Sequence, residues 1–180
     1  KIVDNLGITD PAVKQNVLYI LANRYFKLND IYEVRDQKVK YAKAVLTGAS
    51  KQAAIEAAEL EKDATLYRCH FEFPASLSLY INDKQIDAIK DGMTYNSLQV
   101  QYESLVDMVP SLTEEEKKQI YAWYKEAREF SMDAENSDKK HAAFNKYKGR
   151  INNYLTKRGY DLVKERNEWY KRLKAAGKKI

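Results

Sequence analysis

Cysteine, histidine, proline and glycine are all scarce in this chain: one, two, three and six residues among 180. A lone Cys69 excludes an internal disulfide framework and a cysteine metal cluster, and leaves the redox compartment open. His70 and His141 lie far apart in sequence, so with Cys69 they offer no zinc-ligand spacing. No apolar run approaches the roughly 18 residues that a membrane-spanning helix requires. There is no glycine-rich phosphate loop, and no serine or cysteine sits in a nucleophile motif. No catalytic residue, cofactor or metal is therefore assigned. What the chain does contain, 44% hydrophobic residues, suffices for the core of one sizeable domain.

With few breakers and hardly any alternating runs, the chain reads as all-α, a compact bundle of about six to eight helices. Asp10 caps a start with Pro11 at the first helical position. Val13, Val17, Ile20, Leu21, Leu28 and Ile31 then recur at helical spacing toward Val45, with a break expected near Asn29. Leu66, His70, Phe73, Leu77 and Ile81 keep that spacing across Pro74, which predicts one helix ending just before the proline and another beginning there. A short helix around Ile86 and Ile89 should stop at Gly92. Tyr95 to Val109 fits a helix better than a strand. Thr113 and Glu116 form a capping box, Ser137 is read as the cap of the next helix, and Gly159 and Gly177 mark helix ends. The domain expectation is a single helical domain over 1–180, with a subdivision near 110 between an acidic first part and a helical second part.

Charge is unevenly shared. From Asn136 to the end there are 14 Lys and Arg against 4 Asp and Glu, whereas the preceding residues carry 17 basic and 22 acidic side chains. Mutual docking and solvated helix faces account for this most simply. A nucleic-acid partner is disfavoured because no nucleic-acid motif accompanies the charge.

The stretch "KYKGRINNYLTKRGY" (146–160) concentrates cations, three tyrosines, two asparagines and glycine. On a helix, Phe144, Tyr147, Ile151, Tyr154 and Leu155 share a core face. Ala142, Asn145, Gly149, Asn152 and Thr156 form a second stripe of small or uncharged side chains. A glycine inside a helix costs roughly 1 kcal/mol relative to alanine, so it requires a reason. Either another backbone packs close at Gly149, or the stripe lines a polar groove suited to a hydroxyl-rich ligand, bordered by Lys146 and Arg150 with Asn152 and Asn153 as donors and acceptors. Candidate ligand-binding residues are Asn145, Lys146, Gly149, Arg150, Asn152 and Asn153, joined by Tyr121, Tyr95 and Asn96.

Elsewhere the structural reading takes precedence. Trp123, Tyr124, Ile120, Ala127 and Phe130 fall on one stripe and are expected in the core, with Tyr121 and Met132 off it on the surface. Arg24 and Arg35 interrupt an apolar pattern and imply buried pairing, and Arg166 is placed to stack on Trp169. Glu126, Glu129 and Asp133 look like an ordinary charged helix face rather than a glycosidase pair. Cys69 should be buried and inert.

Together "IKDGMTYN" (89–96), "PSLTEEEKKQIYAWYKEARE" (110–129), "NKYKGRINNYL" (145–155) and "RGYDL" (158–162) resemble an uncharacterised family of secreted all-helical domains from Bacteroidetes and related polysaccharide-degrading bacteria. The resemblance spans most of the chain. It implies a non-catalytic, carbohydrate-associated domain with a sugar as ligand, and it carries over no catalytic residue. The alternatives are a glycan-active hydrolase or lyase, and binding of nucleic acid or another acidic polymer through the basic C-terminal half. A start at Lys1 instead of methionine, one unpaired cysteine and the resemblance together predict export, to the periplasm or cell surface. No oligomeric state follows from the sequence.

Overall fold

The structure is a computed structural model that describes residues 1–178. It is all-α, as the periodicity predicts, and no strand occurs among the described residues. Two compact units divide the chain, Lys1–Ile89 and the part from Lys90 onward.

The first unit is built on a long antiparallel pair. Helix α1 (Pro11–Val45) runs unbroken for 35 residues, about 52 Å of rise. The break expected at Asn29 is absent, because neither glycine nor proline occurs after the first helical residue, Pro11, and asparagine costs only a little helix propensity. Asp10 caps it as predicted, its carboxylate accepting from the backbone N–H of Ala12 at 2.8 Å and of Val13 at 3.3 Å. Helix α2 (Gly48–His70) returns along α1, and Val17, Leu21, Leu28, Ala42, Ala58 and Cys69 are buried. Arg24, 4% exposed, donates to the Cys69 carbonyl at 3.0 Å and to Sγ at 3.4 Å. Cys69 is accordingly buried, as expected.

The predicted boundary at Pro74 is displaced. Helix α2 already ends at His70, and Pro74 lies inside the short α3 (Glu72–Leu77). In a first turn the missing N–H has no intrahelical acceptor to lose, so proline is tolerated there. Helix α4 (Asp83–Met93) passes through Gly92, which is helical. The left-handed exit from this helix is made instead by Tyr95 and Asn96, at φ 59° and 54°.

The second unit contains α5 (Ser97–Met108), α6 (Glu114–Met132), α7 (Ser137–Lys157) and α8 (Leu162–Ala175). Leu98, Leu105, Val109, Ile120, Tyr124, Ala127, Phe144, Tyr147, Ile151 and Leu155 form its core. The capping box opens α6 with both arms made: the Thr113 hydroxyl accepts from Glu116 N–H at 3.2 Å, and the Glu116 carboxylate accepts from Thr113 N–H at 2.9 Å. The cap of α7 is Asn136, one residue before the predicted Ser137; its side-chain oxygen accepts from Lys139 N–H at 3.0 Å. Gly159 and Gly177 end α7 and α8 with positive φ, as read from the sequence.

Candidate functional site

Helices α6 and α7 are antiparallel neighbours. Their shared edge carries a ladder of rings and guanidinium groups. Phe130 stacks on Tyr147 with centroids 6.3 Å apart. One turn along α7, Arg150 lies over Tyr147 at 4.9 Å and over Trp123 at 5.9 Å, and it pairs with Glu126 at 3.3 Å. Trp123 then meets Tyr154 edge to face at 5.0 Å. Arg158 covers Tyr154 at 4.8 Å and reaches Glu116 at 3.6 Å. Tyr160 closes the row by donating its hydroxyl to Glu116 at 2.7 Å.

Helical spacing explains why the row is continuous. Glu116, Trp123 and Phe130 lie seven residues apart on α6, as do Tyr147 and Tyr154 on α7, so each set occupies one edge of its helix. Antiparallel pairing then sets 130 against 147, 126 beside 150, 123 against 154 and 116 beside 158. From Tyr147 to Arg158 the row extends about 16 Å.

The two ends of the row differ in solvation. Phe130 is 63% exposed, and the side chains of Arg150, Glu126 and Arg158 are nearly half exposed. Tyr147 is buried; its burial, helped by the Glu126 carboxylate, pushes its hydroxyl up to about 12. Burial works against ionisation of Glu116, but the donors from Thr113 and Tyr160 and the nearby Arg158 outweigh it and hold the carboxyl below its ordinary value. Tyr160 is raised, chiefly by its bond to Glu116.

The predicted site residues separate into three groups. Arg150 belongs to the ladder. Lys146 and Asn153 follow it along the exposed edge of α7, with Lys157 one turn further on. Asn145 and Gly149 face solvent, Asn152 is half-buried, and a β-carbon at Gly149 would meet no atom within 4 Å outside the backbone of its own helix. No second backbone therefore approaches at Gly149, and the space beside it is open. Tyr121 lies on the opposite edge of α6, edge to face with Tyr102 at 5.0 Å.

Tyr95 and Asn96 belong to a different cluster at the start of the second unit. Tyr95 stacks on His141 at 5.4 Å. The neighbouring Lys140 amine, 8% exposed, donates to the Met93 carbonyl at 2.8 Å and lies 5.9 Å from the Tyr95 ring. Burial holds that amine below the usual lysine value, and Asp133 opposes the shift. Beneath it Arg128, 3% exposed, pairs with Asp91 at 2.8 Å and Glu129 at 3.3 Å, while Lys90 meets Glu129 at 2.9 Å. Each carboxylate in this network is matched to a cation, which makes it a brace for the α4 exit.

Several sequence expectations are corrected here. Phe130 is exposed, because it lies on the α7-facing edge beyond the core stripe, and Met132 is fully buried. Arg166 is exposed; the Trp169 indole instead donates to Asp107 at 2.6 Å, and Arg172 caps the α5 carbonyls of Asp107 and Met108. Glu126 and Glu129 are each ion-paired, Glu126 while still half exposed. Sequence reasoning overlooked Tyr154, Arg158 and Glu116 as site residues, although the seven-residue recurrences of rings on α6 and α7 were the available signal.

The fold is all-helical, and along this edge Phe130, Arg150 and Arg158 face solvent beside half-buried Trp123 and Tyr154. The chain belongs to a family of proteins of unknown function, DUF3826, whose model matches residues 1–175. A comparison with curated proteins finds no match. No helix among the described residues is long and apolar enough to cross a membrane, and no group of His, Cys, Asp and Glu there could hold a metal ion.

Proposed function

We propose that the protein is a non-catalytic carbohydrate-associated domain, exported as the sequence resemblance implies, and that the α6–α7 ladder is its glycan-binding surface. The observation that carries this reading is the alternation of Phe130, Tyr147, Arg150, Trp123, Tyr154 and Arg158 along one edge, on which Phe130, Arg150 and Arg158 are exposed, Trp123 and Tyr154 half-buried and Tyr147 buried. Sugars present apolar C–H faces and a rim of hydroxyl groups. Rings supply area with little entropy loss on binding, and fixed charged donors supply orientation. A row about 16 Å long suits an extended oligosaccharide better than a single sugar.

The reading favours binding over turnover, because Glu126, Glu129 and Asp91 are all engaged by cations. The test is a glycan array followed by calorimetry with wild type, Trp123→Ala and Phe130→Ala. Binding by wild type that drops at least about tenfold in both variants, the scale of losing one aromatic contact, supports the proposal. Unchanged binding in both variants would remove the ladder from the site. Release of reducing ends from any bound polysaccharide would turn the reading to a hydrolase or lyase.

A further inference from the structure

We infer that the ladder selects anionic glycans, bearing uronate or sulfate groups, over neutral ones; this rests on the carbohydrate reading above. The faces of the tyrosine rings are the first reason. Arg150 covers Tyr147 and Arg158 covers Tyr154, at 4.9 and 4.8 Å. With Tyr147 buried and Tyr154 half-buried under Arg158, Phe130 is the one exposed ring of the row, so less apolar face than cationic edge is open to a ligand. Both guanidinium groups remain partly exposed, and a guanidinium carries five N–H donors in a planar fork that can bind a carboxylate or a sulfate through two parallel hydrogen bonds.

The second reason is the weakness of the existing partners. Arg150 meets Glu126 at 3.3 Å with both side chains 47% exposed, and Arg158 is 3.6 Å from Glu116. The exposed Arg150–Glu126 pair contributes little, and Arg158 lies at a long distance from a Glu116 carboxylate already held by Thr113 and Tyr160, so an external anion competes for both guanidinium groups. Lys146 and Lys157 extend the cationic edge on either side, and among the described residues neither has an ion-pair partner. Arg150 and Arg158 are eight residues apart on α7, about 12 Å of rise, which fits charges spaced along a polysaccharide. A nucleic acid strand carries a charge roughly every 3.4 Å and would press phosphates against Glu126.

The experiment is affinity electrophoresis and calorimetry at low and moderate salt, using two matched pairs of polymers: polygalacturonate against its methyl ester, and carrageenan against agarose. Single-stranded DNA is the competitor class. The expected result is binding to at least one charged member and about tenfold weaker binding to its neutral counterpart, with affinity falling as salt rises. Which charged member binds identifies carboxylate or sulfate. Arg150→Met and Arg158→Met should each weaken the charged ligand about tenfold and so narrow its advantage over the neutral counterpart, whereas Lys171→Met on α8 leaves that advantage unchanged. Equal affinity within both pairs would overturn the anionic selectivity while leaving the carbohydrate reading intact. Binding to no polysaccharide would end both, and retention of DNA alone would reassign the surface to nucleic acid.

Discussion

The hydroxyl of Tyr160 donates to the carboxylate of Glu116 at 2.7 Å, and the same carboxylate closes the capping box at the start of α6. One buried acid thus joins the residues after α7 to the first turn of α6. Tyr160→Phe removes the donor and leaves the remaining bonds of Glu116 in place. The expected loss is about 1.5–3 kcal/mol, the range for a hydrogen bond to a charged group. Thermal denaturation followed by circular dichroism should show the midpoint several degrees lower; no shift would mean that the contact is absent in solution.

The same carboxylate predicts acid sensitivity. Glu116 is held below its ordinary value of 4.5 in the folded protein, so its contribution is fully present above that value and is lost as the pH falls through the depressed folded one. Glu116→Gln should lower the midpoint at pH 7. The difference from wild type should then narrow below about pH 4 as the native carboxyl takes up its proton. Parallel curves down to pH 2.5 would contradict the assignment.

Gly149 faces open space within α7, so its substitution should be favourable. Gly149→Ala is expected to stabilise the protein by up to about 1 kcal/mol, or roughly 2–4 °C in the midpoint. Gly149→Leu should also be tolerated, since there is nothing for the larger side chain to collide with. A fall of several degrees in either variant would reveal a contact on that face.

Arg128 is 3% exposed and balanced by Asp91 and Glu129. Asp91→Ala strips one partner from a buried cation, at a cost of about 3 kcal/mol, the low end for breaking such a pair because Asp91 is itself partly solvated. Urea denaturation should show a lower midpoint with an unchanged slope. Arg128→Met combined with Asp91→Ala should recover part of the loss, which separates the uncompensated charge from the lost packing.

Asn96 holds φ 54° directly after Tyr95 at 59°. Asn96→Ala should cost about 1 kcal/mol, because the left-handed region crowds the β-carbon against the following carbonyl and is visited by alanine less readily than by asparagine. Asn96→Gly should be neutral or slightly stabilising. Equal losses in the two variants, measured by denaturation, would show that the side chain rather than the backbone angle matters.

The helices and most of their ends were legible in the sequence because they depend on neighbours within a few residues. Asp10 with Pro11, Thr113 with Glu116, and Gly159 and Gly177 all act through local hydrogen bonds or local backbone freedom, and each behaves as its type requires. The misplacements are local choices between near-equal options. Asn136 displaces Ser137 as a cap, and Pro74 enters a first turn instead of ending a helix.

The arrangement of the ladder lay beyond that reach. Spacing alone places Trp123 and Phe130 on one edge of α6, and Tyr147 and Tyr154 on one edge of α7. It does not say which helix faces which, or in what register. Burial of Ile120, Tyr124, Ala127, Phe144, Ile151 and Leu155 in one core decides both, and with them whether Arg150 rests on two rings and a carboxylate or points into water. The open face at Gly149 was decided the same way, by where the second unit's core draws its other helices. A helix's own edges are written in its sequence, whereas the partner of each edge is set by the packing of side chains far apart along the chain.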